Sequence, residues 1–157
     1  MFSRLEEKLY KILYYFCSFL MFSMLTIIFT QVVFRYVFQN SISWSEELGR
    51  YIFVWMTFFG AVLALRRRSH VSLDSLINQF PPWLFKAIKV FGYILMIVFA
   101  AVLFYNSFTM LQLGARQLSA AMQIPMKYVY YALPISTALL VLYLFRNLIE
   151  DIKQWKG

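Results

Sequence analysis

Four long apolar stretches, separated by short segments that hold nearly every charge, set the constraint on this chain. Residues 12–34 run 23 positions without a charged side chain, and residues 90–115 run 26. At about 1.5 Å per residue, each is long enough as a helix to cross a hydrocarbon core of about 30 Å. Residues 128–145 add an uncharged run of 18, and residues 51–65 one of 15. The expectation is an all-α membrane protein with four transmembrane helices, at about 12–36, 46–66, 84–112 and 126–148.

Composition excludes most other classes. With 62% hydrophobic and 14% charged residues in 157, the chain is too apolar for an ordinary soluble domain. Four spans take most of its length, so a single membrane domain, packed as one compact bundle, is expected over 1–157. The formal net charge of +8 lies in blocks beside the apolar runs, which favours anionic lipid headgroups over nucleic acid as the counterpart. Arg4, Lys8 and Lys11 precede the first run as they would in a signal peptide. That run is too long for a signal h-region and ends without a small-x-small site, so the first span is expected to be retained. Cys17, the sole cysteine, lies within it and can form no intrachain disulfide.

Orientation follows from the basic residues. Eleven fall in the N-terminal lead, the segment between spans two and three, and the tail; four (Arg35, Arg50, Arg116 and Lys127) fall in the other two connections. Both termini are therefore expected in the cytoplasm. Between spans two and three, Arg66, Arg67, Arg68 and His70 precede Val71 to Phe80, where Leu73, Leu76, Ile77 and Phe80 recur at helical spacing opposite Asp74, Ser75, Asn78 and Gln79. This pattern predicts a short amphipathic helix over 71–80 lying in the membrane plane. Ser72 is placed to cap it, Pro81-Pro82 to stop it, and Trp83 to anchor the next span at the interface.

Span two carries the unusual chemistry. Counting about 20 residues back from Arg66 reaches Glu46, so Glu46, Glu47 and Arg50 lie at or within the edge of the opposite leaflet. Charges there are costly unless paired. Arg50 stands at i,i+4 from Glu46 and i,i+3 from Glu47, spacings that permit a pair with either. The remaining carboxylate is free for Arg35 at the end of span one or for a basic residue of another protein. Ser43 or Ser45 is expected to cap this helix and Trp44 to sit at headgroup level. Gly60 and Ala64 form a small-xxx-small step that permits close helix contact.

Cofactor and enzyme chemistry find little support. His70 is the sole histidine, so paired axial haem ligands are absent, and no phosphate-cradling glycine loop, His/Cys metal spacing or nucleophile elbow appears. Spans one, three and four hold no ionisable side chain in their interiors, unlike an ion-coupled transporter acting alone. A free-standing four-helix exporter or membrane enzyme stands as the alternative; the pattern points to a subunit that moves no substrate itself.

The stretch from Ser43 to His70, SWSEELGRYIFVWMTFFGAVLALRRRSH, resembles the small membrane subunit of tripartite ATP-independent periplasmic (TRAP) transporters, the DctQ/SiaQ type. In that family a Trp, a Glu pair, an Arg, a later Trp, a Gly-Ala and a His recur in this order. They match Trp44, Glu46 and Glu47, Arg50, Trp55, Gly60 and Ala61, and His70. A second matching stretch, IPMKYVYYALPIS, supplies Pro125, Tyr130 and Pro134 at the entry to span four; Lys127 stands where many relatives have an aromatic residue. The resemblance implies an accessory scaffold in a bacterial inner membrane. Its partners would be a large elevator-type permease subunit, one to one, which holds the coupling sodium, and a periplasmic substrate-binding protein. It implies no cofactor on this chain. The cargo would be an organic acid of the sialic acid or C4-dicarboxylate class.

Overall fold

The computed structural model describes residues 2–40, 42–67 and 82–156. Arg68, His70 and the segment 71–80 lie outside the described residues, as do Ser72 and the Pro81 stop. Helix α1 spans Phe2–Tyr36, α2 Ser43–Arg66, α3 Pro82–Arg116, α4 Lys127–Tyr130 and α5 Ala132–Lys156. Among the described residues there is no strand, only an isolated antiparallel bridge between Leu118 and Pro125. Helices α1, α2, α3 and the α4–α5 segment are each long and apolar enough to cross a membrane.

Helices α1 and α3 each have 35 residues, or about 52 Å. That exceeds a hydrocarbon core of about 30 Å, so their ends reach past it or the helices tilt. Span four is broken near its start. Pro134 has no N–H to give the carbonyl of Tyr130, four residues back, and α4 ends at Tyr130 before α5 resumes at Ala132.

The helices pack as an open row in the order α1, α2, α5, α3, with α4 against α3. This corrects the compact bundle expected from composition: α1 and α3 form the two edges of the row and, among the described residues, build no interface with each other. The reason is physical. Lipid tails are as apolar as leucine, so nothing drives apolar edges together in a membrane. Phe19, Phe22 and Phe29 on α1, and Phe91, Phe99 and Tyr105 on α3, are accordingly exposed.

The buried seam is narrow and uses small residues. Tyr93, Ala100, Ser107 and Gly114 recur every seven positions along α3 and are all buried, which presents one line of the helix to α5 and, at Gly114, to α4. Opposite, α5 buries Ala132, Ser136, Thr137, Tyr143 and Leu144. The buried hydroxyls are satisfied within their own helices: Ser107 donates to the Phe104 carbonyl, Ser136 to Ala132 and Thr137 to Leu133, each at 2.6 Å. Such back-bonding lets hydroxyls sit in hydrocarbon without a partner helix.

Helix α2 contributes Phe59, Val62 and Leu65 to the core, with Trp55 stacked on Phe59 at 5.6 Å between ring centroids. The small-residue step is not part of this seam. Ala61 is exposed, and a Cβ added to Gly60 would meet nothing within 4 Å. The buried core positions of α2 are 59, 62 and 65, and Ala64 is half-buried beside them.

Candidate functional site: two carboxylates that hold α2 from both sides

At the end of the row away from the chain termini, Glu46 and Glu47 open α2. Successive side chains on a helix diverge by about 100°, so adjacent carboxylates reach different neighbours. Glu46 turns to α1, where its Oε1 accepts from Arg35 at 2.5 Å and from Gln31 Nε2 at 2.8 Å. Glu47 turns the other way, into the connection between α3 and α4, and is buried with 4% exposure.

That connection is folded as a tight hairpin. The Ser119 amide donates to the Ile124 carbonyl and the Met126 amide to the Gln117 carbonyl, both at 2.9 Å. Gln123 closes the tip with a φ of 54°, a left-handed conformation uncommon for residues with a side chain. The closure turns three successive amides inward. Ala120 N–H donates to Glu47 Oε1 at 3.0 Å, and Ala121 and Met122 N–H donate to Oε2 at 2.8 and 2.9 Å. The Tyr51 hydroxyl, one turn along α2, completes the set by donating to Oε1. Consecutive amides pointing into one concavity form an anion nest, and here the anion is a side chain of the same protein.

Arg50 pairs with neither carboxylate. The sequence spacing allows it, but Arg35 with Gln31 and the loop amides with Tyr51 already engage the two groups. Among the described residues Arg50 forms no ion pair; it is exposed between two clefts. One, of about 550 Å³, runs past Glu47, Tyr51 and Gln117; the other, of about 330 Å³, runs past Gln31, Glu46 and Phe53. Trp44 is half-exposed beside them. No serine side chain caps α2 either: the N-cap position is Ile42, and Ser45 donates its hydroxyl to the Ile42 carbonyl at 2.7 Å.

The second sequence stretch lies under the same hairpin. Pro125 forms the bridge with Leu118. The Tyr130 ring lies on Gly114, where an added Cβ would come within 2.8 Å of its Cε2 and 3.0 Å of the Lys127 nitrogen. Pro134 is buried in the first turn of α5, and Trp83 is exposed in the first turn of α3.

The opposite end of the row, which carries both chain termini, has ties that the sequence reading missed. Asp151 is 2% exposed; its Oδ2 accepts from the Tyr93 hydroxyl at 2.9 Å and meets Lys89 Nζ at 3.3 Å. Arg146 pairs with Glu6 of α1 and with Glu150. Asn147 Nδ2 lies 3.4 Å from the Leu65 carbonyl at the close of α2. The i,i+4 placement of Lys89 and Tyr93 was the available signal for Asp151. Among the described residues, no cluster of histidine, cysteine or carboxylate side chains is arranged to hold a metal.

The polar ends and apolar middle agree with the sequence comparisons. Residues 24–154 match the DctQ component of tripartite ATP-independent periplasmic transporters. The chain belongs to this family. It is similar to a protein of Haemophilus influenzae (strain Rd) named a putative TRAP transporter small permease protein, 32% identical over 136 residues, covering 87% of this chain and 84% of that one. The C4-dicarboxylate TRAP transporter small permease protein DctQ of Vibrio cholerae is 30% identical over 106 residues, 68% of this chain and 46% of the relative. The isethionate TRAP transporter permease protein DctMQ of Oleidesulfovibrio alaskensis is 27% identical over 146 residues, which cover 86% of this chain but 23% of that protein. The chain is thus a multi-pass membrane protein and a transporter component of the small permease type, not an enzyme.

Proposed function

We propose that this chain is the stationary bracing subunit of a sodium-driven TRAP importer of an organic acid in a bacterial inner membrane. It assembles one to one with a large permease subunit that holds the sodium and substrate sites, and a periplasmic protein delivers the substrate. Both termini lie in the cytoplasm, so the Glu46–Glu47 end faces the periplasm. The observation that carries this reading is the open row itself: both edge helices leave their apolar flanks uncovered, while α2 is fixed on either side by a carboxylate. A flat, pinned wall suits a surface against which a partner moves.

Further support comes from the relatives. Proteins named for isethionate, sialic acid and C4-dicarboxylate transport resemble this chain to comparable degrees, 27 to 33%, as expected where the selecting groups belong to another component. Sialic acid and C4-dicarboxylates are the cargo classes to try first. In the isethionate relative, the region like this chain is part of one longer permease polypeptide, the arrangement expected of obligate neighbours. Arg50, exposed and without an acidic partner among the described residues, is the cation this chain offers to that neighbour or to the delivery protein.

Reconstitution tests the reading. Proteoliposomes holding this chain alone should take up no organic acid; with the large subunit, the binding protein and an inward sodium gradient, uptake should appear. Uptake by the isolated chain, or undiminished uptake when it is omitted, overturns the bracing role. Reporter fusions after Gly157 should read cytoplasmic, and fusions near Asn40 and Gln123 periplasmic.

A further inference from the structure

The end of the row that carries both termini contains an open cavity of about 400 Å³, lined by Tyr10, Arg66, Arg67, Arg146, Asn147 and Glu150 among others. Three helices meet there: Tyr10 comes from α1, the two neighbouring arginines close α2, and the rest belong to α5. The charges are not balanced. Arg146 is engaged by Glu6 and Glu150, whereas neither Arg66 nor Arg67 has a carboxylate partner among the described residues. Instead, both lean on tyrosine rings of α1, with the Arg67 Cζ also 5.7 Å from the Tyr14 ring centroid. The Arg66 Cζ lies 4.1 Å and the Arg67 Cζ 5.8 Å from the Tyr10 ring centroid, and Arg67 Nε donates to the Tyr10 hydroxyl at 2.7 Å. The ring attracts both cations and holds them together despite their like charge, with N–H groups left over for an anion.

Position decides which anion. Arg66 is the last residue of the α2 span, so the cavity opens at the level of lipid phosphates. Within two turns along the same helices, Phe16 on α1 and Leu142 on α5 are exposed apolar surface on which acyl chains can lie. We propose that this cavity is a binding site for the phosphodiester of an anionic phospholipid, with Arg66 and Arg67 as its ligands and Tyr10 as their support. Guanidinium groups suit phosphate because they donate in a planar fork. The site does not depend on the transporter reading, only on the chain's place in a membrane.

The test uses the full chain, delipidated in an uncharged detergent and titrated by native mass spectrometry, with melting temperature read in parallel. Phosphatidylglycerol should bind and raise the melting temperature, and phosphatidylcholine should do neither to a comparable extent. R66Q/R67Q should weaken phosphatidylglycerol binding about thirtyfold, from about fivefold per basic residue at a charged surface. Arg116→Gln, at the other end of the row, should leave it unchanged. R66K/R67K keeps the charge without the fork and should fall between. The lipid-free melting temperature of each variant reports its fold separately. Equal affinity for the two lipids, or equal binding of phosphatidylglycerol by wild type and R66Q/R67Q, overturns the proposal. So does competition by glycerol phosphate or inorganic phosphate at the lipid's own concentration, which would assign the cavity to a soluble anion.

Discussion

Replacing Glu47 by Gln tests whether a single buried carboxylate holds the α3–α4 hairpin. The carboxylate accepts three amides and a hydroxyl. A glutamine can turn its oxygen toward Ala121 and Met122, but its NH₂ then faces the Ala120 amide and can accept nothing from it. Two charge-assisted bonds become neutral ones, a loss of about 1 kcal/mol each, and one stranded amide costs about 1–3 kcal/mol more. Water reaches this end of the row and recovers part, which leaves about 3 kcal/mol. Local opening then becomes roughly a hundredfold more frequent. Hydrogen exchange read by mass spectrometry should show that acceleration at residues 120–122 and none in the buried middle of α5. Glu46→Gln, whose carboxylate is half-exposed and paired with Arg35, should leave residues 120–122 as in wild type, since an exposed pair contributes about 0–1 kcal/mol. Exchange at 120–122 within threefold of wild type in Glu47→Gln would refute the nest as the hairpin's support.

Three further outcomes follow from the same geometry. Gly114→Ala should lower the melting temperature in detergent by the equivalent of about 1–3 kcal/mol, as an overpacked contact does, because its methyl meets the Tyr130 ring and the Lys127 backbone; Tyr130→Leu in the same chain should recover part of the loss. Asp151→Asn should destabilise more than Glu150→Gln in the same melt, because Asp151 is buried against Lys89 and Tyr93 whereas Glu150 is partly exposed. Arg50→Ala should leave the melting temperature of the isolated chain within about 0.5 kcal/mol of wild type, the usual range for an exposed position, yet reduce copurification with the large subunit.

What the sequence revealed and what it hid divide along a physical line. Span number follows from the count of uncharged runs, and four helices are long and apolar enough to cross a membrane. The chemistry at Glu46 and Glu47 was also visible, because charge at the edge of hydrocarbon demands a partner. Which partner was not. Spacing along α2 favoured Arg50, but the amides at 120–122 lie more than 70 positions away and point inward only because Gln123 adopts a left-handed φ of 54°, a choice no periodicity encodes. The α3 seam at 93, 100, 107 and 114 is a seven-residue repeat of mostly small residues that the sequence reading did not single out. It is hard to see in a span where nearly every position is apolar. Gly60 and Ala64 show the same difficulty: small residues are common in membrane helices, and the buried core positions of α2 are 59, 62 and 65.

The row's order needs a cause other than burial of apolar surface, since lipid satisfies an exposed phenylalanine as well as a neighbouring helix does. The polar ties supply it. Helix α1 is held to α2 at one end by Glu46 with Arg35 and Gln31, and reaches α5 at the other through Glu6 and Arg146. The α3–α4 connection is held to α2 by Glu47, and α3 to α5 by Lys89 and Tyr93 on Asp151. Each edge helix is thus fixed at both of its ends, where water or headgroups make charge affordable, while its middle stays uncommitted and apolar. Such a wall can change the identity of its lipid-facing or partner-facing residues without losing its internal order. That is the property the proposed bracing role requires: an outer face that follows a partner while the inner arrangement stays still.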